Sequence, residues 1–381
     1  MWTSRRFRST AQMELRRLDE LTPEQKQPFL ELEADDDFYG LLLPRPGVTL
    51  NVKSVGHQAA ELFRDLAEPK AIDPAVLDDE YENDLIDLVL DGVLEIESDD
   101  AFVCGADAFP IFFPDARPVA AENAIARLSR EALQHAEDLE TIDVHTLSGA
   151  MYAYNRIPIT RFWLSRFADR NATLAHIEAD SGQLRSLLDR YWTMNPLESS
   201  PWWISWRSNS SNGQHRGGAT YKLYVSPRPE RIRDAFHAVV RVLAAIPGSQ
   251  FKMGPDASGL LRPDKLVLYF SNRDELDHAA QRLHEELAGC PAHGIPFTAG
   301  IDDDGLLSWG IDPPDSERAL SWQQRESWRL WVASRLAAAI SFAKQSATGA
   351  VEPWRFAVER VRRHGVDVET WTPTTIWRAG A

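Results

Sequence analysis

The sequence predicts an α+β protein: a central, mostly antiparallel sheet flanked by helices, with a helical, winged-helix-like N-terminal domain. Three observations carry this. Short apolar runs with period-two alternation, TYKLYVSP, SQFKM and KLVLYFS, crowd between residues 220 and 271. Two strands are each followed by a helix-length amphipathic stretch, which suggests one sheet covered by helices. Upstream, residues 83–105 read as helix, strand, turn, strand, the outline of a winged helix.

The 381 residues suffice for two domains, or one large one with additions, and 44% apolar and 10% aromatic residues exclude overall disorder. The pattern divides into 1–116, 117–200 and 201–381. In the first segment, residues 11–33 have helical periodicity through Met13, Leu15, Leu18 and Leu21, and Ala59, Leu62, Phe63 and Leu66 share a face of a helix over 56–67. The run from Ile72 to Asp100 holds twelve Asp or Glu and no Lys or Arg. Such an acidic unit suits a solvated face or a docking surface for a peptide or protein rather than DNA. After the proline-rich FPIFFPDARP, helices are predicted over 118–138, 147–153 and 159–192, with Pro158 breaking the last two apart.

From residue 198 the texture changes. SSPWWISWRS predicts an aromatic strand and SNSSNGQHRGGA a Gly/Ser loop. TYKLYVSP, SQFKM and KLVLYFS are strands, with a helix from Pro229 to Ile246 between the first two. A helix follows at NRDELDHAAQRLHEELAG, opened by an Asn cap and closed by Gly289. IPFTAGI and GLLSWGID add two short strands, and helices over 316–345 and 352–364 complete the chain.

Several chemistries lack their motifs: GxxxxGK[ST], GxGxxG after a strand, HExxH and GxSxG do not occur. The triplets Asp35 to Asp37 and Asp302 to Asp304 lack the spacing of a calcium loop and read as solvated turns. Cys104 and Cys290 match no metal or disulfide framework and are expected to be reduced, semi-buried thiols. The opening MWTSRRFRST has paired arginines, but no apolar segment follows, and no run approaches 20 apolar residues; the expectation is a cytoplasmic protein without membrane spans. A net charge of -16 disfavours nucleic acid and membrane surfaces.

Against that charge, residues 201–270 hold ten Lys or Arg and four Asp or Glu. A cationic island in an acidic chain suggests a small anion such as phosphate or carboxylate as target. Arg228, Arg231, Arg233 and Arg241 fit an exposed helix face. Arg216, Lys222, Lys252, Arg262 and Lys265 occupy loops or strand ends, where functional side chains concentrate. Arg325 and Arg329, four apart in a predicted helix, face one way and either join the island or are solvated.

The order TYKLYV, helix, QFKM, turn with Arg262, then KLVLYF resembles the phosphothreonine lyase effectors over about fifty residues. The wider span from GGATYKLYV through IPFTAGI, GLLSWGIDPP and the SWR helix is similar to the HopA-type effector family and its lyase relatives in lanthipeptide (class V) and thioamitide biosynthesis. The resemblance implies a phosphoserine/phosphothreonine lyase. Its substrate would be a phosphorylated precursor peptide from a separate kinase, converted to dehydroalanine or dehydrobutyrine, with a cyclase as a further partner and no metal or other cofactor. It implies Lys252 as base, Tyr269 as an active-site tyrosine, and Arg262 and Lys265 as phosphate ligands that also tune Lys252. The lyase effectors have histidine where this chain has Lys222, so the acid is Lys222, Tyr224, Tyr269 or His215. Arg216, Arg325 and Arg329 would complete a phosphate clamp, and Trp203 of WWISW and Tyr224 would line a peptide groove. The N-terminal domain would hold leader peptide or kinase. The rivals are a non-catalytic effector-like binding module and a lyase acting on a small phosphorylated metabolite.

Overall fold

The computed structural model describes residues 2–48, 50–73, 78–99, 101–114, 123–196, 200–210, 220–313 and 320–374. Its centre is a seven-stranded, wholly antiparallel sheet. From edge to edge the strands are Ala299–Gly300, Leu307–Ile311, Tyr221–Val225, Leu266–Phe270, Gln250–Met253, Ile204–Ser208 and Trp192–Met194. The class is α+β, as expected.

Period two decides what each face of this sheet does. Leu223, Val225, Leu266, Leu268, Phe270, Phe251, Met253, Ile204 and Trp206 lie on one face, all buried. Phe236, Val239 and Leu243 of helix Ile232–Leu243 and Leu276, Ala280 and Leu283 of helix Arg273–Glu286 cover it. Each such side chain contributes roughly 1.5–3 kcal/mol of burial, which pins the register. The alternate positions therefore have to face the other side. There the register sets Lys222 opposite Tyr269, Tyr269 opposite Gln250, and Lys252 opposite Ser205.

Helices Val144–Ala153 and Trp328–Ala343 cover part of that second face and form, with Ala124–Asp138 and Pro353–Arg363, a second core around Leu147, Met151, Trp331, Leu336 and Val361. A Cβ on Gly310 would lie 2.7 Å from the Trp328 ring, so the start of helix Trp328–Ala343 rests directly on the strand beside Lys222.

The N-terminal part departs from its reading. Residues 11–33 are not one helix. Met13–Arg16 is a strand paired with Phe38–Pro44, followed by 3-10 turns and the short helix Pro23–Lys26. Met13 and Leu15 fit period two as well as a helix, and Pro23 and Pro28 preclude a continuous one. The helix His57–Asp65, the helix Asp79–Leu90 and the hairpin Leu94–Ser98/Ala101–Val103 form as read. The hairpin is no free wing, because Leu94–Ser98 also pairs with Arg6–Ser9 to make a four-stranded sheet. Nor is the acidic run a bare surface: Glu95 pairs with Arg8, Glu97 with Arg6, Asp87 with Arg360 and Arg363, and Asp91 with Arg360 and Lys53. Leu90, Ala106 and Phe109 pack against Ala343 and Phe356, joining this part to the last two helices.

The predicted helix over 159–192 is three, Arg161–Arg166, Arg170–His176 and Gly182–Tyr191, because Asp169 caps a new start through the Ala172 N–H and Gly182 turns at φ 67°. In the described part of 316–345 the helix begins only at Trp328, after Ser327 in extended conformation. Among the described residues no helix is long and apolar enough to cross a membrane. Cys104 and Cys290 are unbonded, the first half-buried and the second buried.

Candidate active site

Three adjacent strands place Lys222, Tyr269 and Lys252 on the face left partly open. The Tyr269 ring lies between the two ammonium groups, 5.6 Å from Lys222 Nζ and 5.5 Å from Lys252 Nζ. Trp203, just ahead of strand Ile204–Ser208, lies over Lys252 at 4.3 Å and also 5.3 Å from the Arg262 guanidinium. The arrangement is a cation set framed by aromatic rings.

The turn after Lys252 brings Arg262 back to it. Gly254 and Gly259 approach so closely that a Cβ on Gly254 would stand 2.4 Å from the Gly259 backbone. Asp256 caps the short helix Ala257–Leu260 through the Gly259 N–H. Arg262 then donates to both oxygens of Asp264, at 2.8 Å each. Arg329 approaches the same carboxylate at 3.0 Å, and the Tyr152 hydroxyl donates to it at 3.2 Å. Burial alone would raise the Asp264 carboxyl, but Arg329 and Arg262 hold it far below the ordinary range.

The two lysines on the face differ in their partners. Lys222 is ion-paired with Asp312 at 2.6 Å, and Asp312 also accepts from the Trp328 backbone N–H at the helix start. Lys252 makes no ion pair or hydrogen bond among the described residues. Burial, then repulsion from Lys222, lowers it to about 8, against the opposing pull of Asp264 and Asp312. Burial, reinforced by Asp312, pushes the Tyr269 phenol far above its usual range, so it stays protonated. Lys222, Lys252, Arg262 and Arg329 face two carboxylates, Asp264 and Asp312, which leaves a surplus of two positive charges with Lys252 protonated and of one with Lys252 as the amine, in either state an environment suited to an anion.

Other expected residues lie elsewhere. Lys265 is no ligand on this face: it is fully buried and donates to His293 Nδ1 at 2.8 Å. His293 Nε2 donates in turn to the Asn155 carbonyl at 2.6 Å, which fixes the tautomer. Burial lowers Lys265 to about 7 and, with Lys265 beside it, His293 to about 3. Tyr224 faces the same side as Lys222 but is 3% exposed beneath Ile295, so it lines no groove. Arg329 is 1% exposed and bonded to the Pro296 and Tyr152 carbonyls, so it supports Asp264 rather than meeting a ligand. Arg325 precedes the helix and is exposed, not aligned with Arg329. His215 and Arg216 lie outside the described residues. Arg231, Arg233 and Arg241 make surface pairs with Asp234, Glu178 and Glu286.

Asp264, Asp312, Tyr152 and His293 were not singled out from sequence. The only signal for Asp264 was its place two residues after Arg262. No group of His, Cys, Asp or Glu among the described residues is arranged to hold a metal; Asp302 and Asp304 instead accept from backbone N–H groups of their own turn.

Fold and site thus define an α+β protein with a set of cations framed by aromatic rings on one face of an antiparallel sheet. No family model matches the sequence, and no curated protein matches it. Among solved structures, the effector protein from Pseudomonas syringae pv. tomato strain DC3000 is similar over 67% of this chain and 98% of that chain, at 12% identity and TM-score 0.43. The effector protein from Pseudomonas syringae pv. syringae strain 61 is similar over 68% and 99%, at 11% identity and TM-score 0.38.

Proposed function

We propose that the protein is a carbon–oxygen lyase that eliminates phosphate from phosphoserine or phosphothreonine in a precursor peptide of lanthipeptide type. The observation that carries this is the contrast between two lysines on one sheet face, Lys252 without a carboxylate partner and Lys222 ion-paired to Asp312. Environments that separate two like groups assign a base and an acid.

Lys252, as the amine, takes the Cα proton. Its electron pair becomes the Cα–Cβ double bond, the Cβ–O bond breaks, and phosphate leaves. With Lys252 lowered to about 8, about one molecule in ten carries the amine at pH 7, against roughly one in a few thousand for an ordinary lysine. The Arg262 fork, the Lys222 ammonium and the Tyr269 hydroxyl meet the departing phosphate, and Lys222 or Tyr269 protonates its bridging oxygen. A separate kinase supplies the phosphopeptide, and a cyclase acts on the dehydro residue.

The test is incubation of the purified protein with phosphoserine and phosphothreonine peptides, following loss of phosphoric acid by mass spectrometry. Lys252→Ala is expected to slow it by roughly 10²–10⁴-fold. Undiminished turnover by that variant, or inertness toward every phosphopeptide encoded near its gene, would sink the assignment. A second reading, a phosphopeptide-binding module without chemistry, draws on the neutralisation of Arg262 and Lys222 by carboxylates. It predicts tight binding with no loss of mass.

A further inference from the structure

The cleft that holds Lys252 does not end there. It has a volume of about 240 Å³ and extends to Gln250 on the strand of Lys252 itself and past Ser205 to Arg207 on the next strand. The register explains why. Lys252 stands opposite Ser205 and Phe251 opposite Trp206, so Arg207 falls opposite Gln250, on the same face as Lys252 and Tyr269. Across the next pair Arg207 meets Thr193, an uncharged neighbour.

Arg207 is exposed, and among the described residues it makes no ion pair or side-chain hydrogen bond. The other arginines that border this face, Arg262 and Arg329, are both committed to Asp264. Among the described residues Arg207 is therefore a guanidinium fork lining the Lys252 cleft with its donors unspent, and the Gln250 amide opposite it supplies a further donor.

We infer that Arg207, with Gln250, is a specificity subsite for the side-chain carboxylate of an Asp or Glu flanking the phosphorylated residue of the substrate peptide. The inference rests on the lyase reading and adds to it a preference for acidic sequence context. The spacing suits it. Lys252 and Arg207 are diagonal neighbours in an antiparallel pair, roughly 7–8 Å apart. An extended peptide advances about 3.3–3.6 Å per residue, so the carboxylate sits two or three residues from the reacting one. A planar fork pairs with a carboxylate through two parallel bonds, which a lysine or an amide could not match.

The experiment uses the full chain and sets of three phosphothreonine peptides carrying Asp, Asn or Lys at the second or third residue on either side of the phosphothreonine. KM and kcat are measured for wild type, Arg207→Ala and Arg207→Glu. The wild type should favour Asp over Asn by roughly three- to tenfold, mainly in KM. The preference should fall to about one in Arg207→Ala and turn toward the Lys peptide in Arg207→Glu. A wild type that eliminates phosphate without preference, or a preference that survives Arg207→Ala, overturns the subsite and leaves the lyase standing. A wild type that turns over none of the peptides overturns both. The charge-swapped pair answers any objection that the alanine variant has merely lost its fold.

Discussion

The reactivity ascribed to Lys252 is set by what is missing around it. Burial, then the nearby Lys222 and Arg262, outweigh the pull of Asp264 and Asp312, so its proton leaves near pH 8, and kcat/KM should climb with pH and level off above that value. Asp312→Asn tests the coupling. Asp312 pulls the Lys252 pKa upward, so its neutralisation should move the midpoint below 8. Lys222 loses its counter-charge in the same variant, so kcat should fall by roughly tenfold or more while KM for the phosphopeptide drops, both readable in one pH–rate series. Lys222, Lys252 and Tyr269 were legible because alternation with large apolar residues assigns them a face. Asp264 and Asp312 were not, because a carboxylate in a turn looks solvated until the fold shows which guanidinium or ammonium it meets. Lys265 misled for the converse reason: a cation beside a strand reads as a ligand, yet at 0% exposure its partners among the described residues are His293 and a backbone carbonyl.

At the scale of elements, that buried pair ties the strand Leu266–Phe270 to the turn at Asn155, and it should govern how stability varies with pH. Lys265 titrates at about 7 in the folded chain against an ordinary 10.5, so between these values the unfolded chain binds the extra proton and stability rises with pH. Below pH 7 the charged amine is a full penalty. Lys265→Met should therefore unfold at higher urea concentration than wild type at pH 6, with the advantage shrinking toward pH 10; a constant offset would contradict the buried charge. A second element-level prediction concerns Gly310. A methyl group there meets the Trp328 ring, so Gly310→Ala should cost about 1–3 kcal/mol in denaturant unfolding. Elements with a strong period and a clear cap, such as Arg273–Glu286 behind Asn272, were legible from sequence. The stretch 11–33 was not, since four residues of strand satisfy a helical period by coincidence and pairing with Phe38–Pro44 decided the outcome.

For the molecule as a whole, the acidic run from Ile72 to Asp100 reads as a solvated face or docking surface, and the fold pairs four of its carboxylates, Asp87, Asp91, Glu95 and Glu97, internally. Arg360, 4% exposed, holds Asp87 and Asp91 against the helix Pro353–Arg363, so Arg360→Ala should lower stability by roughly 1–3 kcal/mol, and salt should reproduce only part of the loss because the guanidinium is buried while its carboxylates are half-buried. A chevron or urea titration at low and high ionic strength would show it. The seven-stranded sheet also constrains how such a sequence can diverge. Its two faces carry opposite chemistries, so a one-residue deletion within Gln250–Met253 would exchange Phe251 with Lys252, putting an ammonium into the core and a phenyl ring into the cleft. Point substitutions can drift through these strands over generations, but changes in their length cannot; insertions and deletions tolerated among relatives should be confined to the connections between them.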